Sequence, residues 1–284
     1  MSGFRRVTFI GVGMIGATLA RASRRADPGV QIRGYDPNPP PSSVETGVDQ
    51  WVGSAAKACR DADLVVLATP VGSILDLLPE VAKACSPQTV VTDTGSTKSA
   101  VCLKAEELFH RQEGPHFIGG HPMAGRERPG AEASDPDLLR DAPYALCASS
   151  GIPDVKLQAV ERWVRSLGAR PHWIDPKEHD KIAAIVSHLP QLTVIALSSM
   201  LDEMASGDER VTDLTGSALH DLLRIASSPY PLWRDICRTN IPPIKEALET
   251  LARRLHELAG DLERGDALER WFESARHFRE KNCE

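Results

Sequence analysis

The sequence predicts an α/β, doubly wound N-terminal domain over residues 1–175, joined to an all-α C-terminal domain over residues 176–284. Short apolar runs rich in Val, Ile and Leu alternate with helix-periodic segments up to Asp175, the pattern of parallel strands buried on both faces. The first of those runs passes at once into Gly11-Val12-Gly13-Met14-Ile15-Gly16, and the residues that follow read as a helix. Beyond Asp175 no run reads as a strand, and the periodicity is helical.

Taken in order, residues 7–10 (Val-Thr-Phe-Ile) are a β-branched and aromatic run, the mark of a buried strand. Gly11 permits a tight turn. Gly13 has no Cβ, so a pyrophosphate has room to approach the backbone, and Gly16 lets the helix sit close on the strand. The helix start, with Met14 and Ile15, offers free N–H groups and a positive dipole end to phosphates. A second strand at Gln31–Tyr35 leads to Asp36, twenty residues beyond Gly16. Strand, glycine loop, helix, strand and acid in that order are the context of a dinucleotide site. A carboxylate at Asp36 bonds ribose hydroxyls and repels a 2′-phosphate, which favours NAD over NADP. Arg33 and Asn38 flank the position and would soften that preference.

Residues 63–68 are the next strand, ended by Thr69-Pro70, and a helix follows over 73–84 with Ser73 as its N-cap. A strand at 89–92 ends in Asp93-Thr94-Gly95-Ser96 before a helix over 99–111. A short strand at 117–119 runs into Gly120-His121-Pro122. Ligands of doubly wound sheets sit beyond the C-terminal strand ends, so Thr69, the 93–98 segment and the 121–127 segment are expected to share one crevice. Strands at 144–148 and 170–174 enclose an amphipathic helix. Residues 177–204 are apolar nearly all round, which calls for burial in a core or between subunits, and Pro190 predicts a kink near 187–189. Ile244, Leu248, Leu251, Leu255, Leu258 and Leu262 are spaced 4-3-4-3-4, a seam expected to close against a second copy of the chain.

Composition narrows the partners. Apolar content of 42% and charged content of 25% are those of an ordinary globular protein. A net charge of −6 offers nothing to nucleic acid, so an anionic ligand must find local cations. The first strand begins too early for a signal peptide, and no apolar run approaches a membrane span; a cytoplasmic protein without a membrane partner is expected. Cys59, Cys85, Cys102, Cys147, Cys237 and Cys283 form no CxxC pair and read as reduced thiols. No metal site is expected, because His179-Asp180 lacks a third ligand at usable spacing.

Among side chains able to do chemistry, His121 stands in Gly-Gly-His-Pro-Met-Ala-Gly, uncrowded and on a backbone stiffened by Pro122. A titratable ring held there suits a general base; the alternative is a histidine bonding a loop carbonyl. Ser96 either bonds that base or the substrate, or caps the helix at 99. Arg224 suits a substrate carboxylate, or pairs with Asp221. His188 faces the cleft or is a satisfied core residue. Arg21, Arg24 and Arg25 read as a solvated helix face.

Together these segments resemble the prephenate/arogenate dehydrogenases of tyrosine biosynthesis. The matching stretches are GVGMIG at 11–16, DTGSTK at 93–98, FIGGHPMAGRE at 117–127, HD at 179–180, SHLP at 187–190 and RIASSPYPLW at 224–233, followed by RDI and Asn240. The resemblance implies a Rossmann-type domain with a helical dimerisation domain, a homodimer, and NAD-dependent oxidative decarboxylation of a cyclohexadienol. In that reaction hydride leaves C4 of the ring for the nicotinamide while a base draws the 4-hydroxyl proton, and carbon dioxide departs as the ring becomes aromatic. It implies His121 as that base with Ser96 in support, and Arg224 on a carboxylate. His188, Gln191, Glu127, Asp221 and Trp233 would lie at or beside the pocket, with Thr69 and Asp93 beside the cofactor. Two positions depart from the family pattern. Gln191 stands where many relatives carry a second histidine, which leaves prephenate and arogenate both open as substrate. Ser217 and Ala218 stand where glycine is frequent. Neither a fused chorismate mutase nor an ACT domain is expected, so tyrosine feedback is expected at the active site. Two other readings fit the scaffold. A 3-hydroxyacid dehydrogenase would need Lys181 or Lys245 in a setting this chain lacks. A non-catalytic nucleotide-binding regulator would have no use for His121, Ser96 and Arg224 together.

Overall fold

A computed structural model of the chain describes residues 3–109, 114–125, 128–208 and 210–282. Its α/β half is built from β1 (Arg6–Ile10), α1 (Met14–Ala26), β2 (Gln31–Tyr35), β3 (Gln50–Trp51), α2 (Ala55–Cys59), β4 (Leu64–Leu67), α3 (Val71–Ala84), β5 (Val90–Asp93), α4 (Ser99–Leu108), β6 (His116–Pro122), β7 (Pro143–Ala148), α5 (Asp154–Ser166) and β8 (Arg170–Trp173). The strands form one sheet in the order β3-β2-β1-β4-β5-β6-β7-β8. Period-2 side chains divide its two cores. Phe9, Leu64 and Val66 pack with Leu19, Trp163 and Val164 on one face, while Val65, Leu67 and Val91 pack with Ile74, Leu78 and Phe117 on the other.

Several expectations are corrected here. The sheet is not wholly parallel: β7 pairs antiparallel with β6, Tyr144 opposite Pro122 and Leu146 opposite Gly120. Helix α3 starts at Val71 with Pro70 at its N-cap, so Ser73 lies inside the helix and caps nothing. Strand β3 and helix α2, of 2 and 5 residues, are too short to show a period in the sequence. Arg21 and Arg24 are half-buried rather than a solvated face, and only Arg25 is exposed as expected. They bond Ser134, the Val30 carbonyl and Asp49, and Asp137, tying α1 to the neighbouring loops.

The helical half contains α6 (Pro176–Ala183), α7 (Leu189–Ala205), α8 (Arg210–Asp213), α9 (Ser217–Leu223), α10 (Tyr230–Thr239), α11 (Ile241–Asp261) and α12 (Gly265–Asn282). Between α6 and α7 the predicted kink is a π-helical turn, Ala184–His188. Pro190 has no N–H for the carbonyl four residues back, and its ring crowds that carbonyl, so the helix widens there. The run Pro176–Ala205 is, contrary to expectation, long and apolar enough by length and composition to cross a membrane. Much of its apolar surface is uncovered within one chain: Ile182, Ile185, Val186, Ile195 and Met200 are exposed, as are Leu255 on α11 and Leu262 just past its end, both of the seam.

The two halves meet at helix N-termini. Asp180 on α6 accepts from the backbone N–H of Lys98 (2.7 Å) and Ser99 (2.9 Å), the start of α4. Asp235 on α10 accepts from Gly72 N–H at 3.2 Å, the start of α3. Thr97 and Thr239 share a hydrogen bond of 2.7 Å. Each acid sits where the free N–H groups and helix dipole favour negative charge. Because α3 and α4 both begin just past strand ends, the helical domain docks over the crevice end of the sheet.

Candidate active site

The nucleotide side of the crevice is the β1–α1 loop. Gly11 lies at φ +88°, and a Cβ there would stand 2.6 Å from the Ala68 carbonyl oxygen and from Thr69 Cγ2. A Cβ on Gly16 would stand 2.1 Å from the Gly11 carbonyl oxygen. At Gly13 a Cβ would meet nothing within 4 Å, and this residue caps α1 without any side-chain hydrogen bond. The loop therefore has free helix N–H groups and open space before them, which fits a pyrophosphate. Asp36 accepts from Val12 N–H and Asn38 N–H, each at 2.9 Å, which sets its carboxylate beside the loop. Arg33, expected to soften the NAD preference, donates instead to the Arg60 carbonyl at 2.6 Å at the end of α2. Thr69 Oγ1 is buried and has no partner among the described residues, a polar atom left for a ligand.

Asp93 does not fit its expected place beside the cofactor. It is fully buried, and its carboxylate takes the Gly95 N–H (2.8 Å), the Gly120 N–H (3.0 Å) and the Lys98 ammonium. It is a post joining β5, the 93–98 segment and β6 beneath His121. Ser96 caps nothing, because Asp180 takes the α4 N-terminus from the other domain.

His121 is 9% exposed near the end of β6. Its Nδ1 lies 2.9 Å from Nε2 of His179, whose own Nδ1 lies 2.8 Å from Asp180 Oδ1. Burial, then neighbouring His179, Lys98 and His188, push the His121 pKa well below the ordinary imidazole value, so the ring is neutral near pH 7. Burial works against the charged form of Asp180, but bonds from His179, Ser99 and Lys98 outweigh it and hold that carboxyl below its usual range. Among the described residues His121 bonds no loop carbonyl; its Nδ1 is taken by His179.

His188, in the π turn, is 1% exposed. Asn240 donates one amide hydrogen to the Asp180 carbonyl (2.8 Å) and the other to His188 Nδ1 (3.2 Å). The accepting Nδ1 makes Nε2 the protonated nitrogen, and Nε2 has no partner among the described residues. Trp233 stands edge-on to His188 at 5.9 Å, and its indole N–H is likewise buried and unpaired among the described residues. Burial lowers the His188 pKa to about 4 against the pull of Asp180. Gln191 donates to the Ile225 carbonyl at 2.8 Å, fixing α7 to the segment that follows Arg224. Arg224 and Asp221 are exposed, and Glu127 lies outside the described residues. The spacing of His179-Asp180 excludes a metal site and the pair matches the family pattern, but nothing in the sequence joins it to His121, 58 residues away.

The buried histidines give a pH prediction. Unfolded imidazoles take up a proton near about pH 6.5. In the fold His121 and His188 resist protonation to lower pH, so the unfolded chain binds more protons in that interval. Stability is then whole above about pH 6.5 and declines as the pH falls toward about 4, the folded value of His188. Thermal unfolding across that range should show a falling midpoint; a flat midpoint would mean the rings are not held neutral.

Comparison with known proteins gives concordant results. The family profile for the prephenate dehydrogenase nucleotide-binding domain matches residues 19–172, and that for the prephenate dehydrogenase dimerization domain matches residues 175–274. A prephenate dehydrogenase of Lactococcus lactis is 30% identical over 280 residues, covering 97% of this chain and 77% of the relative. Among solved structures, prephenate dehydrogenase from A. aeolicus in complex with hydroxyphenyl propionate and NAD+ superposes with a TM-score of 0.87 at 27% identity, over 98% of each chain. Synechocystis arogenate dehydrogenase superposes with a TM-score of 0.80 at 26% identity, over 97% of this chain and 99% of that one.

Proposed function

Since the chain belongs to the prephenate dehydrogenase family, we propose that it oxidises and decarboxylates prephenate to 4-hydroxyphenylpyruvate, with NAD as hydride acceptor. The observation that carries the reading is His121, a buried neutral imidazole at the end of β6, on the crevice that the glycine loop opens into. NAD, when bound, supplies the electrophilic carbon that receives the hydride. Gly11, Gly13 and Gly16 with Met14, Ile15 and Thr69 hold its pyrophosphate side, and Asp36 holds the ribose. His121 takes the 4-hydroxyl proton as the C–O bond gains carbonyl character, and Ser96 supports it from the 93–98 segment. Arg224 engages a substrate carboxylate. Glu127, Asp221, Trp233, His188 and Gln191 line or gate the remaining pocket. Loss of carbon dioxide aromatises the ring, so the reverse reaction has no driving force.

A second reading, arogenate as substrate, is favoured by Gln191. Its amide nitrogen is committed to Ile225, which leaves its carbonyl oxygen as the acceptor for an ammonium group. Initial rates of NADH formation with prephenate and with arogenate decide between them. A prephenate preference supports the first reading, an arogenate preference the second, and no NADH with either sinks both. For Asp36→Ala the expected result is that the NAD-to-NADP preference in kcat/KM falls by about tenfold or more, because a like charge facing the 2′-phosphate is removed. An unmoved ratio would take Asp36 off the ribose.

The exposed apolar face of α6 and α7 and the open end of the α11 seam are covered, in this reading, by a second copy of the chain. A dimer also explains a membrane-length helix in a soluble, cytoplasmic enzyme: its polar residues His179, Asp180 and His188 turn to the active site while its apolar face meets its counterpart.

A further inference from the structure

We propose that His179, backed by Asp180, is a positioning residue that fixes the tautomer of His121, so that the base is completed only when the helical domain is docked. The inference rests on the reading of His121 as the general base. It follows from counting donors along one line of contacts. Asp180 spends one oxygen on the Lys98 N–H and the other on the Ser99 N–H, at 2.7 and 2.9 Å, which holds it as an acceptor-only carboxylate. The His179 Nδ1, 2.8 Å from Asp180 Oδ1, must then carry the hydrogen. A neutral His179 is left with a lone pair at Nε2, 2.9 Å from His121 Nδ1. The hydrogen of that bond therefore sits on His121 Nδ1, and the lone pair of His121 falls on Nε2, the one ring nitrogen not engaged with His179. A protonated His179 would reverse the inner bond and put a hydrogen on His121 Nε2, where a base needs a lone pair.

The three residues come from two domains. His121 is on β6 of the sheet, whereas His179 and Asp180 are on α6, the first helix of the helical half. The bonds that make Asp180 an acceptor are the same bonds that pin α6 to the N-terminus of α4. Asn240, from the start of α11, braces the Asp180 carbonyl from behind. Domain docking and the protonation pattern of the base are thus one arrangement. When His121 takes the substrate proton at Nε2, its Nδ1–H stays donated to His179, whose Nδ1–H is held by Asp180, so the carboxylate stands at the end of the line of bonds that carries the new positive charge.

The test uses ¹⁵N-histidine-labelled full-length protein. Nitrogen–proton correlation at neutral pH should show His121 as the Nδ1–H tautomer in the wild type; the Nε2–H tautomer there overturns the proposal without any variant being made. In His179→Ala the His121 signal should move toward the Nε2–H form. Turnover should fall roughly 10²-fold in kcat, the scale of lost general-base alignment, with KM and NAD affinity unchanged. In His179→Gln the amide oxygen can stand near the missing Nε2 and accept the His121 hydrogen, so kcat should recover most of the loss. An unchanged kcat in His179→Ala, or equal loss in the Ala and Gln variants, overturns the positioning role. Absence of wild-type turnover would instead sink the proposed reaction, and the tautomer measurement would still decide the inference.

Discussion

Replacing His121 by Asn should lower kcat by about 10²- to 10⁴-fold, the range for a lost general base, while NAD still binds. Asn is the informative choice because of the geometry around the ring. Its amide nitrogen falls close to where Nδ1 stands in histidine, so it can keep donating to His179 Nε2, 2.9 Å from that atom in the native protein. What it lacks is any group at the Nε2 position. The variant therefore removes the proton acceptor with little disturbance to the buried His179–Asp180 arrangement, and fluorescence titration with NAD serves as the control for folding and cofactor binding. Near-native turnover would remove His121 from the mechanism. A parallel loss of NAD affinity and thermal stability would mean that the residue is structural.

The second large effect separates two glycines of the same loop. Gly16→Ala is expected to destabilise the fold by about 2–3 kcal/mol, the cost of forcing an atom into a packed core, because its Cβ would stand 2.1 Å from the Gly11 carbonyl oxygen and 3.3 Å from Ala68 Cβ. Neither neighbour is a flexible side-chain end, and Gly11 is already committed to φ +88°. The melting temperature should drop by roughly 4–12 °C at that cost. Gly13→Ala meets nothing within 4 Å, so the melting temperature of the free protein should stay where it is. The same methyl group would occupy the space through which a pyrophosphate reaches the helix N–H groups, so NAD affinity should fall tenfold or more, about 1.4 kcal/mol. A Gly13→Ala variant that binds NAD normally would move the phosphates elsewhere.

Much of this was legible in the sequence, for reasons particular residues show. The four residues of β4, Leu-Val-Val-Leu, are apolar on both faces because both are covered, and a run of that kind can be read without knowing its neighbours. The glycine loop was legible because its constraints are local: Gly11 and Gly16 meet residues within reach of the same turn or the adjoining strand end. The kink before Pro190 was legible because a missing N–H acts four residues away. The antiparallel β7 was not, because strand direction depends on where the chain returns, and the same alternation of residues serves either direction. The setting of Asp93 is hidden from the sequence for a similar reason. An acid at a strand end looks like a ligand-binding residue until Gly95, Lys98 and Gly120 are seen to have taken its oxygens.

By itself the sequence determined the two-domain order, the strand and helix pattern and the nucleotide loop, since each depends on periodicity or backbone freedom over a few residues. The tertiary structure alone decided what surrounds His121. Its pairing with His179 spans 58 residues, and the Asp180 carboxylate that backs the pair is held by an α4 N-terminus some 80 residues away. Hydrogen-bond direction along that line depends on burial and on donors from another domain, and neither is written in the spacing of the chain.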